Sequence, residues 1–184
     1  MLAYVFWHWP RSDVDPGRYA DALLAFHRAL AETPPRGYHG SKVLEVVGAP
    51  WLPVPRALED WYLVEDFTAL GALNEAAISG QRRDPHDGAA RMAQGGAGAL
   101  YRRIREGTVA SEQVVWFGKP GNVGYSEFLA RVPPAELWQR QLALGPGPEF
   151  CLSIETPPLG AVEPCVLRTR LLNTSDPLKL TPSP

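Results

Sequence analysis

Residues 2–9 combine aromatic and β-branched side chains with alternating polarity, a pattern that predicts a β-strand. Neighbouring side chains on a strand point to opposite faces. Tyr4, Phe6 and His8 therefore share one face, while a valine and two tryptophans share the other. The strand closes at Pro10. One polar imidazole thus stands among aromatic rings on the first of these faces.

An amphipathic helix is predicted to follow this strand. Asp15 precedes Pro16, which is the order expected of a helix cap and the first helical residue. Apolar residues then recur at helical spacing, with Tyr19 and His27 on the apolar side, until a pair of prolines stops the helix. If this helix covers the sheet, His27 and His8 approach one cavity from opposite walls.

The first half continues with two strands, a helix in two pieces and a final strand. The predicted segments, in chain order, are strands at 39–47 and 59–66, helices at 68–79 and 84–94, and a strand at 100–105. The element order of this half is therefore β-α-β-β-α-β.

A shorter series follows in the second half. Its predicted segments are a strand at 113–118, a helix at 124–131, a second helical piece at 134–144, and strands at 149–155 and 164–171. We interpret this as a truncated β-α-β-β unit, in which the second helix of the first half has no counterpart.

A local motif recurs in both halves, which suggests that one unit is used twice. Tyr19-Ala-Asp-Ala-Leu23 and Tyr125-Ser-Glu-Phe-Leu129 each follow a strand that ends in proline. We therefore expect a first unit at 1–108, a truncated second unit at 109–172 and a C-terminal tail at 173–184. The tail is rich in proline and serine, and we expect it to lie against the rest of the chain.

This element order and the repeated tyrosine motif resemble the dimeric α/β-barrel superfamily, which includes antibiotic-biosynthesis-type monooxygenases and chlorite-dismutase-like haem proteins. The resemblance covers 2–106 well and 112–171 loosely. It implies an α+β fold of two ferredoxin-like units, the second truncated, with antiparallel sheets packed barrel-like and helices outside. It also implies a ligand pocket between a sheet face and its own helices.

Haem is one ligand that the resemblance brings into question. The haem-binding tandem relatives ligate iron through a histidine on a helix of their C-terminal unit. No histidine of this chain lies after His86, so a haem site of that kind would lack its axial ligand. We therefore expect no cofactor. His27 is the helical histidine on an apolar face, which leaves a haem in the first unit as an alternative.

Composition narrows the class of protein. The chain has 184 residues, 45% hydrophobic and 21% charged, as is usual for a globular protein. A net charge of −2 offers no basic surface for nucleic acid, and no apolar run is long enough to span a membrane. Cys151 and Cys165 flank a turn, so they are candidates for cross-strand neighbours. We expect reduced core cysteines in a cytoplasmic protein.

His8 is the leading candidate for a catalytic base, because an imidazole in an aromatic pocket can move a proton near neutral pH. A histidine without function at a sheet edge is the alternative. His27 and Tyr19 are candidates to orient a ligand or donate a proton. The alternatives for these two are a half-exposed histidine and a tyrosine that only packs.

Aromatic side chains are the expected ligand contacts of the pocket. They are Tyr4, Phe6, Trp61 and Tyr62. Trp61 and Tyr62 are neighbours on a predicted strand, so only one of them can face the helices. The other then faces the second sheet or a partner. Most tryptophans are expected in the core or in the seam between the two sheets.

Several carboxylates have structural alternatives to a catalytic role. Asp84 is expected to cap a helix, and the carboxylate of Asp87 is expected to interact favourably with the positive N-terminal end of the helix dipole. His86, which lies between them, is therefore not assigned to catalysis. Glu59 and Asp60 lie on a predicted strand, where they could act as a base, bind a metal or mark a solvated sheet face. No histidine or cysteine spacing indicates a metal site.

Two functional hypotheses follow from different classes. The first is an enzyme without a tightly bound cofactor that acts on a small hydrophobic or aromatic molecule by oxygenation, isomerisation or proton abstraction. The second is a non-catalytic ligand-binding or assembly protein with the same aromatic interior. The uncovered surface that a missing helix would leave is compatible with a homodimer.

Overall fold

The computed structural model describes residues 1–107, 113–142, 145–154 and 156–174. Its strands, in chain order, are β1 (Leu2–Pro10), β2 (Tyr38–Val47), β3 (Arg56–Val64), β4 (Ala93–Arg105), β5 (Gln113–Gly118), β6 (Leu137–Gln141), β7 (Phe150–Leu152) and β8 (Val162–Thr174). Its helices are α1 (Pro16–Glu32), α2 (Phe67–Ala77), α3 (Arg83–Met92) and α4 (Tyr125–Arg131), with a short 3-10 helix at Gly80–Arg82. The expected unit boundary at 108–109 and the tail beyond residue 174 lie outside the described residues.

The strands form one antiparallel sheet that closes into a barrel, in the order β1-β3-β2-β8-β5-β7-β6-β4. Pairing of β4 with β1 completes the ring. The first half contributes its strands in the order β4-β1-β3-β2 and the second half in the order β8-β5-β7-β6. These orders are the same when each half is numbered from its own first strand. The expected α+β class and the barrel-like arrangement of antiparallel strands are therefore confirmed.

The second half contains a strand where a helix was expected. The helical piece predicted at 134–144 is wrong, because this segment contains β6. Two adjacent apolar residues explain the difference. Leu137 packs on the outside beside the core of α4, whereas Trp138 points into the barrel. A strand buried on both faces lacks the alternation that identifies a strand. The described second half is therefore β-α-β-β-β rather than β-α-β-β.

Tryptophan fills the interior of the barrel, as expected for a core between the sheets. The ring centroids of neighbouring pairs lie 5.4–6.4 Å apart. The cluster consists of Trp7, Trp51, Trp61, Trp116, Trp138 and Tyr101. The fully buried Glu59 lies among these rings and accepts hydrogen bonds from the indole nitrogens of Trp7, at 2.7 Å, and Trp61, at 2.6 Å.

The helices cover the outside of the barrel differently in the two halves. Three helices, α1 to α3, cover the first half, with Leu30 and Leu73 buried against the sheet. In the second half α4 buries Phe128 against Phe117 and Phe150, so these side chains fill the space between sheet and helix. None of the helices in the described part of the chain is long and apolar enough to cross a membrane.

Candidate functional site

A cavity of about 970 Å³ lies between the outer face of β1, β3 and β4 and the three helices of the first half. Most of the side chains that line it are aromatic or aliphatic. Its most buried polar side chains are His8, Tyr19 and Asp60. A large apolar cavity with a few convergent polar groups is the usual form of a small-molecule site.

Asp60 is the charged centre of this site. Adjacent residues of β3 point to opposite faces, so Glu59 enters the barrel while Asp60 faces the helices. Both carboxylates are fully buried, so neither marks a solvated sheet face. The Oδ2 atom of Asp60 lies 3.1 Å from Nε2 of His8 and 3.3 Å from Nε2 of His27. It also accepts a 2.8 Å hydrogen bond from the hydroxyl of Tyr62.

A first arm of this network runs from Asp60 to the cavity through His8 and Tyr19. Because Nε2 of His8 faces a carboxylate, we assign the ring hydrogen to that nitrogen, which leaves Nδ1 of the neutral ring as an acceptor. The hydroxyl of Tyr19 lies 2.6 Å from Nδ1 and donates to it. A proton that reaches the Tyr19 oxygen can pass on to His8, where Asp60 balances the new charge.

A second arm runs from Asp60 through His27, away from the cavity. The hydroxyl of Ser41 lies 2.6 Å from Nδ1 of His27, and the hydroxyl of Tyr38 donates to Ser41 at 2.7 Å. Protein groups therefore hydrogen-bond to both ring nitrogens of His27. An axial ligand of haem iron needs one of these nitrogens for the metal, so this arrangement does not suit that role. His27 thus contacts the carboxylate of Asp60 on the side away from the cavity and does not line the cavity.

Burial and charge determine which groups of the network are ionised. Burial opposes the ionisation of Asp60, but its interactions with His8 and His27 outweigh this effect and hold the pKa of this carboxyl well below its usual range. Burial and the charge of Asp60 raise the pKa values of Tyr19 and Tyr62. The network therefore combines a carboxylate, an imidazole base and a protonated tyrosine that can relay a proton.

A row of nearly parallel rings from β1 forms the sheet side of the cavity. Phe6 lies 5.9 Å from Tyr4 and 5.1 Å from His8 between ring centroids, at interplanar angles of 18° and 24°. These rings lean over glycines of the neighbouring strand β4. A Cβ atom at Gly98 would lie 2.7 Å from the hydroxyl of Tyr4, and one at Gly96 would overlap the ring of Phe6. This glycine-rich stretch, which lies between the helix predicted at 84–94 and the strand predicted at 100–105, therefore belongs to β4.

His86 lies on a different wall of the cavity, on α3. Its Nδ1 atom is 3.0 Å from Oδ1 of Asp87, and its ring meets Phe26 edge-on at 5.4 Å. The prediction that Asp84 caps this helix is wrong, because the N-cap is an arginine without a side-chain hydrogen bond. His86 thus reaches the cavity, but among the described residues its hydrogen bond is to Asp87 and not to the network around Asp60.

The structure brings most of the predicted site residues together. The residues that line the cavity are Tyr4, Phe6, His8, Tyr19 and Tyr62. Trp61 does not line it, because it points into the barrel and packs on Trp138 at 5.5 Å. The central residue is Asp60, which the sequence placed only among strand carboxylates that could act as a base, bind a metal or mark a solvated face. Its position two residues from Tyr62 on one strand was the available signal, since such residues share a face.

The two cysteines do not form a redox pair. Strand β5 lies between their strands, and Trp116 pairs with Cys151 on one side and with Cys165 on the other. The expectation that they are cross-strand neighbours is therefore wrong, and both thiols are free.

Within the described residues, no group of three or more histidine, cysteine, aspartate or glutamate side chains is placed to hold a metal ion.

Comparisons of the chain with protein-family models, with curated proteins and with solved structures found no match. The cavity and the hydrogen-bond network around Asp60 are therefore the features from which a function is proposed.

Proposed function

We propose that this protein binds a small aromatic or hydrophobic molecule in the cavity, and that the Tyr19–His8–Asp60 arm takes a proton from it. The observation that carries this proposal is a chain of hydrogen bonds, of 2.6 and 3.1 Å, that joins a buried carboxylate to a tyrosine lining an apolar cavity. Perturbed buried acids and bases concentrate at functional sites. Proton removal begins both isomerisation and oxygenation without a cofactor, so both reaction classes fit.

We also propose that the two halves are ferredoxin-like units and that the chain is a tandem member of the dimeric α/β-barrel superfamily. The matching strand orders support this assignment. So does the contact at 5.5 Å between Trp7 and Trp116, which lie on the first strand of each half. In the second half, phenylalanine side chains fill the space under the helix, so the proposal places the ligand in the first half alone.

A coloured phenol tests both parts of the functional proposal. 4-Nitrophenol is a small aromatic molecule whose phenolate absorbs visible light, so absorbance reports both its binding and its ionisation. Because His8 accepts the proton, the bound phenol should ionise at a lower pH in the wild type than in His8→Ala. His86→Ala removes an imidazole from the same cavity but not from the network, and it should behave as the wild type.

Two results would contradict the proposal in different ways. If 4-nitrophenol binds but His8→Ala and His86→Ala have the same ionisation curve as the wild type, His8 is not the proton acceptor and the cavity is a binding site only. If the wild type does not bind 4-nitrophenol or another small aromatic compound, the cavity is not a ligand site.

A second candidate function is assembly, which one surface of the second half favours. Val166 of β8 is 41% exposed, and it pairs with Val115, whose side chain belongs to the core beside α4. At this position the outer face of β8 is therefore apolar and is not fully covered by the described residues. Sedimentation should show a dimer that Val166→Lys converts to monomers. A wild type that is monomeric at high concentration contradicts this candidate.

A further inference from the structure

We infer that the ligand is an uncharged, planar aromatic molecule that presents an O–H or N–H group to Tyr19. The cavity should reject the carboxylate and the methyl ether of the same ring system. This inference rests on the proposed binding function and specifies the chemical class of its ligand. Three independent features of the cavity support it: the position of the hydrogen atoms, the balance of charge and the shape of the sheet side.

The positions of the hydrogen atoms in the first arm leave the Tyr19 oxygen, at the cavity, as a hydrogen-bond acceptor. Nε2 of His8 gives its hydrogen to Asp60, so Nδ1 of the neutral ring must receive the hydrogen of the Tyr19 hydroxyl. Only the lone pairs of the Tyr19 oxygen then remain for a ligand. The Oδ1 atom of Asp60 is also buried without a hydrogen-bond partner among the described residues. A ligand that completes this site therefore supplies a hydrogen-bond donor.

The charges of the cavity oppose an anionic ligand. None of the described residues that line it is lysine or arginine. Its ionisable side chains are Tyr4, His8, Tyr19, Asp60, Tyr62 and His86. An anion that enters gives up its hydration and meets the ionised Asp60, and a neutral His8 offers no positive charge in return.

The sheet side of the cavity suits a flat ring. Tyr62, Tyr4, Phe6 and His8 follow one another with interplanar angles of 23°, 18° and 24°. Aromatic rings stack in offset, nearly parallel arrangements, so a planar ligand can extend this row. The glycines of β4 allow the rings to lean over that strand, and they therefore determine the shape of this wall.

A series of three naphthalenes tests the inference on the wild-type protein. 2-Naphthol, 2-methoxynaphthalene and 2-naphthoate share one ring system and differ in the polar group. At about pH 8 the naphthol is uncharged and the naphthoate is an anion. Calorimetry should show that the ether and the naphthoate each bind roughly tenfold more weakly than the naphthol, or worse, because a site built to bond a hydroxyl group rejects analogues that lack it.

A pair of surface variants tests the charge argument without disturbing the buried network. Asn74 lines the cavity on α2 and is exposed, so Asn74→Lys should fold and place a cation at this wall. It should strengthen the binding of 2-naphthoate about tenfold and change the binding of 2-naphthol little. Glu75→Gln is the matched control, because it changes the net charge by the same amount at a neighbouring position that does not line the cavity. It should leave both affinities as in the wild type.

Each contrary outcome contradicts a specific part of the inference. If 2-methoxynaphthalene binds as tightly as 2-naphthol, the ligand needs no donor. If 2-naphthoate binds the wild type as tightly as 2-naphthol, or if Asn74→Lys and Glu75→Gln affect it equally, the cavity does not exclude anions. In these cases the proposed binding function stands and the ligand class is wrong. If none of the three compounds binds, the binding function fails together with the inference.

Discussion

Replacement of Asp60 by asparagine is the most direct test of the buried network. Asparagine has nearly the same shape as aspartate but carries no charge and has one acceptor oxygen in place of two. Three donors converge on Oδ2 of Asp60: the Nε2 atoms of His8 and His27 and the hydroxyl of Tyr62. The amide oxygen can take this position if the amide nitrogen occupies the place of Oδ1, which has no hydrogen-bond partner among the described residues.

The expected loss of stability follows from these three bonds. A hydrogen bond to a charged group contributes about 1.5–3 kcal/mol and a neutral one about 1 kcal/mol. Conversion of three charged bonds to neutral ones should therefore lower the free energy of unfolding by about 3 kcal/mol. This loss is a large share of the roughly 5–15 kcal/mol that is typical of a domain.

Urea unfolding at a series of pH values measures this loss and its sign. The pKa of Asp60 is depressed, so the stability from its ionisation is complete above the unfolded-state pKa near 4 and is lost as the pH falls through the folded value. The difference between the wild type and Asp60→Asn should therefore be largest near neutrality and shrink below about pH 4. A loss below about 1 kcal/mol, or a difference that grows as the pH falls, refutes the assignment of Asp60 as an ionised hub.

The adjacent carboxylate on β3 provides a control of opposite sign. Burial raises the pKa of Glu59, although hydrogen bonds from Trp61 and Trp7 oppose this shift. The stability that the protonated form contributes is complete below the unfolded-state pKa near 4 and is lost as the pH rises through the folded value. The advantage of the wild type over Glu59→Gln should therefore decrease as the pH rises. Two variants one residue apart should thus have opposite dependences on pH.

Three further changes test the cavity. Tyr19→Phe removes the relay oxygen, so 4-nitrophenol should ionise at a higher pH than in the wild type, and loss of its bond to His8 should cost about 1 kcal/mol in urea unfolding. Gly96→Ala should displace the ring of Phe6, cost about 1–3 kcal/mol and weaken the binding of 2-naphthol in calorimetry. Ala77→Leu fills part of the cavity, so it should weaken 2-naphthol binding while thermal unfolding shows equal or greater stability.

The first strand and helix could be predicted because local rules decide them. Alternation along β1 is enough to place Tyr4, Phe6 and His8 on one face. The cap of α1 is equally local, since Asp15 accepts a hydrogen bond from the backbone nitrogen of Arg18. The helical spacing then turns Tyr19 and His27 towards the sheet, and both are buried there, so the half-exposed histidine weighed as an alternative for His27 is wrong.

Asp60 could not be placed in the same way, because its environment depends on residues distant in the chain. A carboxylate on an antiparallel strand usually faces water. Asp60 is buried because His8, 52 residues away, and His27 supply donors from other elements. The glycines of β4 are a similar case. A strand of small residues has little β-propensity by itself, and the rings of β1 that pack over it supply the side-chain surface it lacks.

The contrast between the two halves supports the proposed site independently of any single residue. In the second half, Phe128 of α4 packs on Phe117 and Phe150 of the sheet, which stack at 5.4 Å, within a cluster of buried apolar side chains. The first half keeps a cavity and a buried carboxylate at the corresponding place, and both features cost stability. Packing alone would favour the phenylalanine solution in both halves. Binding of a small molecule, as proposed, would account for both the polar network and the space beside it.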